Sequence, residues 1–137
     1  MEQQEKRFSP TVIAHAKAPR NAGEMEDCDA YGIGGDVAQG ESIVLFCKVR
    51  GGVLADCTFI ARGCTATIAA GSMATELIKG KTLAQAGALT APQLISALGG
   101  LPPVKRQSAT LAVAAIADAL SRYAAAQNDE AQPRDPS

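Results

Sequence analysis

Four cysteines, Cys28, Cys47, Cys57 and Cys64, are the side chains in this sequence best suited to nucleophilic or metal chemistry. Their spacings of 19, 10 and 7 include no C-x-x-C pair, so neither a zinc knuckle nor a thioredoxin-like redox motif is present. With 47% hydrophobic residues the chain has enough apolar material for a core and needs no disulfide staples, so the cysteines are expected as free thiols in a reducing compartment. Cys64 follows Arg62-Gly63 and opens a helix, where unpaired amides and the helix dipole favour a thiolate. It is therefore the leading nucleophile or ligand. The competing reading is a small polarisable filler at a strand-to-helix junction, and Arg62 weighs toward the reactive thiol. Cys47 and Cys57 lie inside apolar strand-like runs, where cysteine acts as a small hydrophobe. Cys57 and Cys64 would stand about 23 Å apart on an extended chain, so they share a metal only if the chain turns back between them. Cys28 lies in a glycine-rich loop that could fold over a site. His15, the one histidine, reads as a surface or boundary residue of an amphipathic helix.

The elements that must position these residues are marked by local signals. Ser9-Pro10 has the form of an N-cap with proline at the first helical position, and Pro19 ends a short helix over about residues 10–17. From Asn21 to Gly40 there are five glycines and no sustained period, which predicts a loop that is mobile or held only by what it binds. Ile43 to Val49 and Val53 to Ile60 read as strands flanking Arg50-Gly51-Gly52, a hairpin signal. Downstream, Ala66, Ala70, Met73, Ala74 and Leu77 form one helical stripe, with Gly80 as the left-handed cap. Thr82 to Gln85 and Thr90 to Gln93 have the capping-box form, and Gly99-Gly100 closes the second short helix. The last helix is predicted over about Ser108 to Ala126, with Ala109, Val113, Ile116, Leu120 and Tyr123 on its buried face. Residues 128–137 lack the apolar residues of a packed element and are expected to form a disordered tail after a domain spanning 1–127. The order predicts an α+β two-layer sandwich, a small antiparallel sheet covered on one face by helices.

A formal net charge of −1 and scattered basic residues leave no footprint for nucleic acid or an anionic membrane. No run approaches the roughly 20 apolar residues of a bilayer span, and the first seven residues do not open a signal sequence, so a cytoplasmic protein is expected. Lys105-Arg106 is by default a solvated pair. It follows Leu101-Pro102-Pro103-Val104, an extended segment with a polyproline bias that would also suit a recognition strand. No Ser-His-Asp set, phosphate-binding loop or paired catalytic carboxylates point to a turnover enzyme.

Several stretches together resemble the NifU-like (IscU-type) iron-sulfur cluster assembly scaffold family. Phe8-Ser9-Pro10, Val12-Ile13, His15 and Pro19-Arg20-Asn21 are similar to its opening helix; Gly71 to Leu77 with Lys79-Gly80-Lys81-Thr82 resembles its central helix. Ala97 to Lys105 resembles the approach to its last helix, including the Leu-Pro-Pro-Val-Lys motif that the family presents to an Hsp70-type chaperone. The resemblance covers about residues 8–125.

The family's site uses three cysteines and an aspartate. Residue by residue, the resemblance puts Gln39 at the first cysteine and Glu41 at the aspartate, with Gly34-Gly35-Asp36 a competing match; Cys64 at the second cysteine; and Gln107-Ser108 where the third motif has histidine and cysteine. One thiolate and one carboxylate remain among these positions, and glutamine and serine are poor partners for soft metal centres. The resemblance implies a site built from Cys64, Glu41, Gln39, Ser108 and Gln107, with Cys64 and Glu41 as metal ligands. It would accept sulfur from a cysteine desulfurase, or hold iron, zinc or an iron-sulfur cluster weakly or shared across a homo-oligomer. Leu101, Pro102, Pro103, Val104 and Lys105 would bind the chaperone. The alternative is a cluster-free docking or regulatory protein for the desulfurase or chaperone.

Overall fold

The computed structural model describes residues 8–38 and 40–131. Helix α1 (Pro10–Lys17) starts where Ser9 accepts a hydrogen bond from the Val12 amide at 3.0 Å. The Ser9 hydroxyl also donates to the Leu98 carbonyl, pinning the helix start to a distant turn. Three antiparallel strands follow in sheet order β1 (Ala30–Gly35), β2 (Ser42–Arg50) and β3 (Val53–Arg62). The β2–β3 hairpin closes at Arg50 and Val53 through Gly51 and Gly52, whose φ of 59° and 76° are the positive angles that the strand twist demands of a two-residue turn.

Strand β1 overturns the expectation of a mobile loop from Asn21 to Gly40. Its glycines hide the apolar alternation that would announce a strand, and packing explains them. Gly32 and Gly34 sit directly beneath the last helix, where an added Cβ would overlap backbone atoms of Ala115, Ala119 and Leu111. Inward rows across the sheet are Ala30, Cys47 and Cys57; Gly32, Leu45 and Phe59; and Gly34, Ile43 and Ala61.

Helices α2 (Thr65–Ile78), α3 (Leu83–Gly87), α4 (Ala91–Ala97) and α5 (Gln107–Ala131) complete the domain, with both predicted capping boxes formed at Thr82 and Thr90. Helix α2 packs on β3, α5 packs on β1 and β2, and α1 lies against α2, giving the expected two layers. The buried face of α5 is richer in alanine than its large apolar residues suggest. Ala109, Ala112, Ala115, Ile116 and Ala119 are buried, whereas Val113, Leu120 and Tyr123 are half-buried, because close contact with glycines excludes bulky side chains.

Three further expectations are corrected. Helix α5 runs to Ala131, past the predicted end near Ala126 and through the first residues of the expected 128–137 tail; 132–137 lie outside the described residues. By length and composition the segment Pro103–Asn128 would also reach the threshold for a bilayer span. Its apolarity is largely alanine, and its inner face is occupied by the sheet. Finally, Leu101–Val104 is not a continuous extended strand: Leu101 is buried, and Pro103–Lys105 forms a 3₁₀ turn.

Candidate functional site

The end of β3 and the start of α2 place Cys64 at the N-cap, with φ −88° and ψ −175°. Glu41 immediately precedes β2, and the pairing of Ser42 with Arg62 brings it to the same end of the sheet. The Cys64 thiol points to Glu41 Oε1 at 3.8 Å and lies 3.7 Å from the Thr67 hydroxyl, one turn into α2. Thr67 is fully buried, and its Oγ1 is 3.3 Å from that of Ser108, itself buried at the start of α5. Glu41, Cys64 and Ser108, far apart in sequence, thus converge through a residue that no motif singled out. Gly63 is part of the fit: a Cβ there would stand 2.6 Å from Thr67 Oγ1 and 3.0 Å from Glu41 Cγ.

Other expected members fall differently. Asp36, the competitor for the carboxylate position, is exposed and accepts the Ala38 amide at 2.9 Å, a local turn contact, so Glu41 is the carboxylate that meets the sulfur. Gln107 is exposed on the first turn of α5, and no hydrogen bond joins it to the cluster among the described residues. Gln39 lies outside the described residues. Cys28 precedes β1 at the far end of the sheet, lining a shallow groove with Tyr31 and Arg122. His15 is buried rather than superficial: Nδ1 is 2.7 Å from the Ser72 hydroxyl, which also accepts the Arg20 amide, and burial followed by the Arg20 charge lowers its pKa against the opposing pull of Glu76. It ties α1 to α2.

Burial pushes the Cys64 pKa up, but the Thr67 amide and hydroxyl, the Ala66 amide and the Lys105 ammonium outweigh it, and the net shift is downward. Cys64 makes no side-chain cap hydrogen bond, and the Ala66 and Thr67 amides act on it by favouring its charged form. The assisting cation is Lys105, not the expected Arg62. Strand alternation from inward-facing Phe59 and Ala61 leaves Arg62 exposed. Lys105 reaches the site because the 3₁₀ turn leads directly to Ser108. Burial drives Cys47 and Cys57 the other way, up to about 12, as expected of core residues.

The cluster offers one thiol, one carboxylate and two hydroxyls. Among the described residues, no three His, Cys, Asp or Glu side chains are grouped to hold a metal ion. This donor set does not fit a cluster bound by four soft ligands of one chain.

The sequence matches the family described as NifU-like N terminal domain over residues 7–130. It is 39% identical over 116 residues to "Iron-sulfur cluster assembly scaffold protein IscU 1" of Archaeoglobus fulgidus, covering 85% of this chain and 76% of the relative. It is also 39% identical over 124 residues to "Iron-sulfur cluster assembly scaffold protein IscU" of Haemophilus influenzae, covering 88% and 98%. The fold superposes on the NifU-like protein (N-terminal) of Brucella abortus with a TM-score of 0.68 at 18% identity, covering 88% of this chain and 96% of that one. The chain belongs to the NifU-like N-terminal domain family.

Proposed function

We propose that this protein acts in iron-sulfur cluster assembly as a scaffold-like sulfur acceptor, without enzymatic turnover of its own, and that Cys64 is the acceptor. The observation that carries this reading is the convergence of Cys64, Glu41 and Ser108, with the sulfur at a helix N-terminus 3.8 Å from the carboxylate. The relatives' function as assembly scaffolds supports it. In the transfer, the Cys64 thiolate attacks the outer sulfur of a donor persulfide R–S–SH. A sulfur–sulfur bond forms on Cys64, the donor's sulfur–sulfur bond breaks, and the departing R–S⁻ takes up a proton equivalent to the one Cys64 lost. Iron or a cluster is cargo here, held weakly or completed by a second copy of the chain, because one thiolate and one carboxylate are too few. Zinc would face the same shortage.

The sulfur donor in this reading is a cysteine desulfurase, and Leu101–Lys105 is the segment that meets an Hsp70-type chaperone. Four free thiols suit the reducing cytoplasm. The test is anaerobic incubation with desulfurase and L-cysteine, followed by reconstitution with iron and sulfide. A one-sulfur mass gain confined to Cys64 supports the reading; its absence overturns it. A second reading, a cluster-free docking protein, draws on Val104, which is 74% exposed on the chaperone-type turn. Chaperone binding without any sulfur uptake would favour it.

A further inference from the structure

We infer that Thr67 is a positioning residue for Cys64: its buried hydroxyl ties the sulfur to Ser108 and holds it against Glu41 in the orientation that sulfur transfer requires. The inference rests on the sulfur-acceptor reading of the same site. Thr67 stands three residues after Cys64, so the two side chains share one face of the first turn. Its surroundings make a hydroxyl costly unless it has partners. The residue is fully buried, and the neighbouring inward positions Ala66, Ala69, Ala70 and Ala74 carry no polar group. The partners are Cys64 Sγ at 3.7 Å on one side and Ser108 Oγ at 3.3 Å on the other. Gly63 leaves the room that lets Thr67 and Glu41 close on the sulfur from both sides.

The four groups lie on three elements, and each constrains the next. Ser108 at the start of α5 orients the Thr67 hydroxyl; Thr67 in α2 orients the sulfur; the sulfur faces Glu41 before β2. In the thiol form donors can run in one direction along this chain, from Ser108 to Thr67 to Cys64 to Glu41; in the thiolate that attacks, the sulfur no longer donates to Glu41 but still accepts from Thr67, which leaves its other lone pairs free for the incoming persulfide. Attack on a sulfur–sulfur bond is sensitive to approach angle, and a small misplacement of a reacting atom lowers rates steeply.

The experiment uses the full chain with glutathione persulfide as donor, intact-mass detection of the added sulfur, and Cys64→Ser as the blank. Thr67→Val removes the hydroxyl while keeping the branched shape and is expected to slow sulfur uptake about tenfold or more. Thr67→Ser should recover most of the rate, and Ser108→Ala should slow it without touching Thr67. Uptake by Thr67→Val at the unaltered rate overturns the inference, as does a Thr67→Ser variant as slow as Thr67→Val. Iodoacetamide labelling of Cys64 in the same variants separates the two levels. If the unaltered protein accepts no sulfur, the acceptor reading fails, and Thr67 is still judged by whether Thr67→Val slows labelling and Thr67→Ser restores it.

Discussion

The Cys64 thiol meets the Glu41 carboxylate at 3.8 Å, joining residues 23 positions apart at one end of the sheet. Burial at this junction disfavours a thiolate, while the Thr67 amide and hydroxyl, the Ala66 amide and Lys105 favour it, and the net shift is downward.

Cys64 should therefore be the reactive thiol of the protein. Cys47 and Cys57, pushed up to about 12, carry on the order of a thousandfold less thiolate at pH 7 than a thiol titrating below 9. Single Cys→Ser variants labelled with iodoacetamide should show Cys64 supplying almost all of the fast phase among these three thiols. Equal rates would remove the chemical basis of sulfur acceptance.

The parts of this molecule legible in the sequence are those specified by contacts between near neighbours. Ser9-Pro10, the Gly51-Gly52 hairpin and both Thr-x-x-Gln capping boxes form as the residues dictate. Strand β1 was not legible, because Gly32 and Gly34 answer to the backbone of α5 some 80 residues away rather than to any local period. Cys64, Glu41 and Ser108 could be placed by resemblance, but Thr67 could not. Thr67 is one of three buried hydroxyl residues of α2, with Ser72 and Thr75, so its type alone gives no signal, and it gains meaning only when Ser108 is seen behind it. The choice of Lys105 over Arg62 is likewise tertiary.

The glycine contacts make a steric prediction. Gly34→Ala should destabilise the fold by about 3 kcal/mol or more, because the new methyl meets helix backbone that cannot rotate away. Gly87→Ala, where the added Cβ would touch only the flexible end of Leu120 at 3.2 Å, should change stability little. Urea denaturation of the two variants measures the contrast.

Alkaline stability follows from the core thiols. Their folded pKa, about 12, lies above the value near 9.0 expected when unfolded, so between these limits the unfolded chain loses a proton that the native state keeps. Stability then falls as pH rises, by about 1.4 kcal/mol per pH unit for each thiol. Cys57→Ala should be less stable at pH 7 yet have a shallower slope between pH 9 and 11 in urea unfolding. An unchanged slope would mean that Cys57 is not protonated in the native state through this range.

Leu101 and Val104 belong to one short motif but should fail in different ways. Leu101 is 7% exposed and part of the core, so Leu101→Ala should cost about 2–4 kcal/mol of stability. Val104 is 74% exposed, so Val104→Ala should leave the melting temperature nearly unchanged and weaken chaperone binding instead. Calorimetric melting alongside chaperone ATPase stimulation distinguishes a structural residue from a contact residue.

Restoring soft ligands tests how far the site itself has diverged. Ser108 is joined to Cys64 through Thr67, by contacts of 3.3 and 3.7 Å, so the side chain of Ser108→Cys lies on the far side of a single hydroxyl from the sulfur. Gln39→Cys would add a second thiolate two residues before Glu41. Combined, the substitutions give three thiolates beside a carboxylate, a donor set of the kind that iron-sulfur clusters require, whereas the unaltered chain has one thiolate. The double variant, reconstituted anaerobically with iron and sulfide, should gain visible charge-transfer absorption that survives gel filtration, and the unaltered protein should retain much less. Thr67 enters the same experiment. Its hydroxyl lies between Cys64 and Ser108, so a cluster spanning those positions must displace it, and adding Thr67→Ala to the double variant should increase cluster retention. If neither variant holds a cluster, the geometry of the β3–α2 junction has diverged along with its ligands, and sulfur acceptance at Cys64 stands without cluster assembly on the same chain.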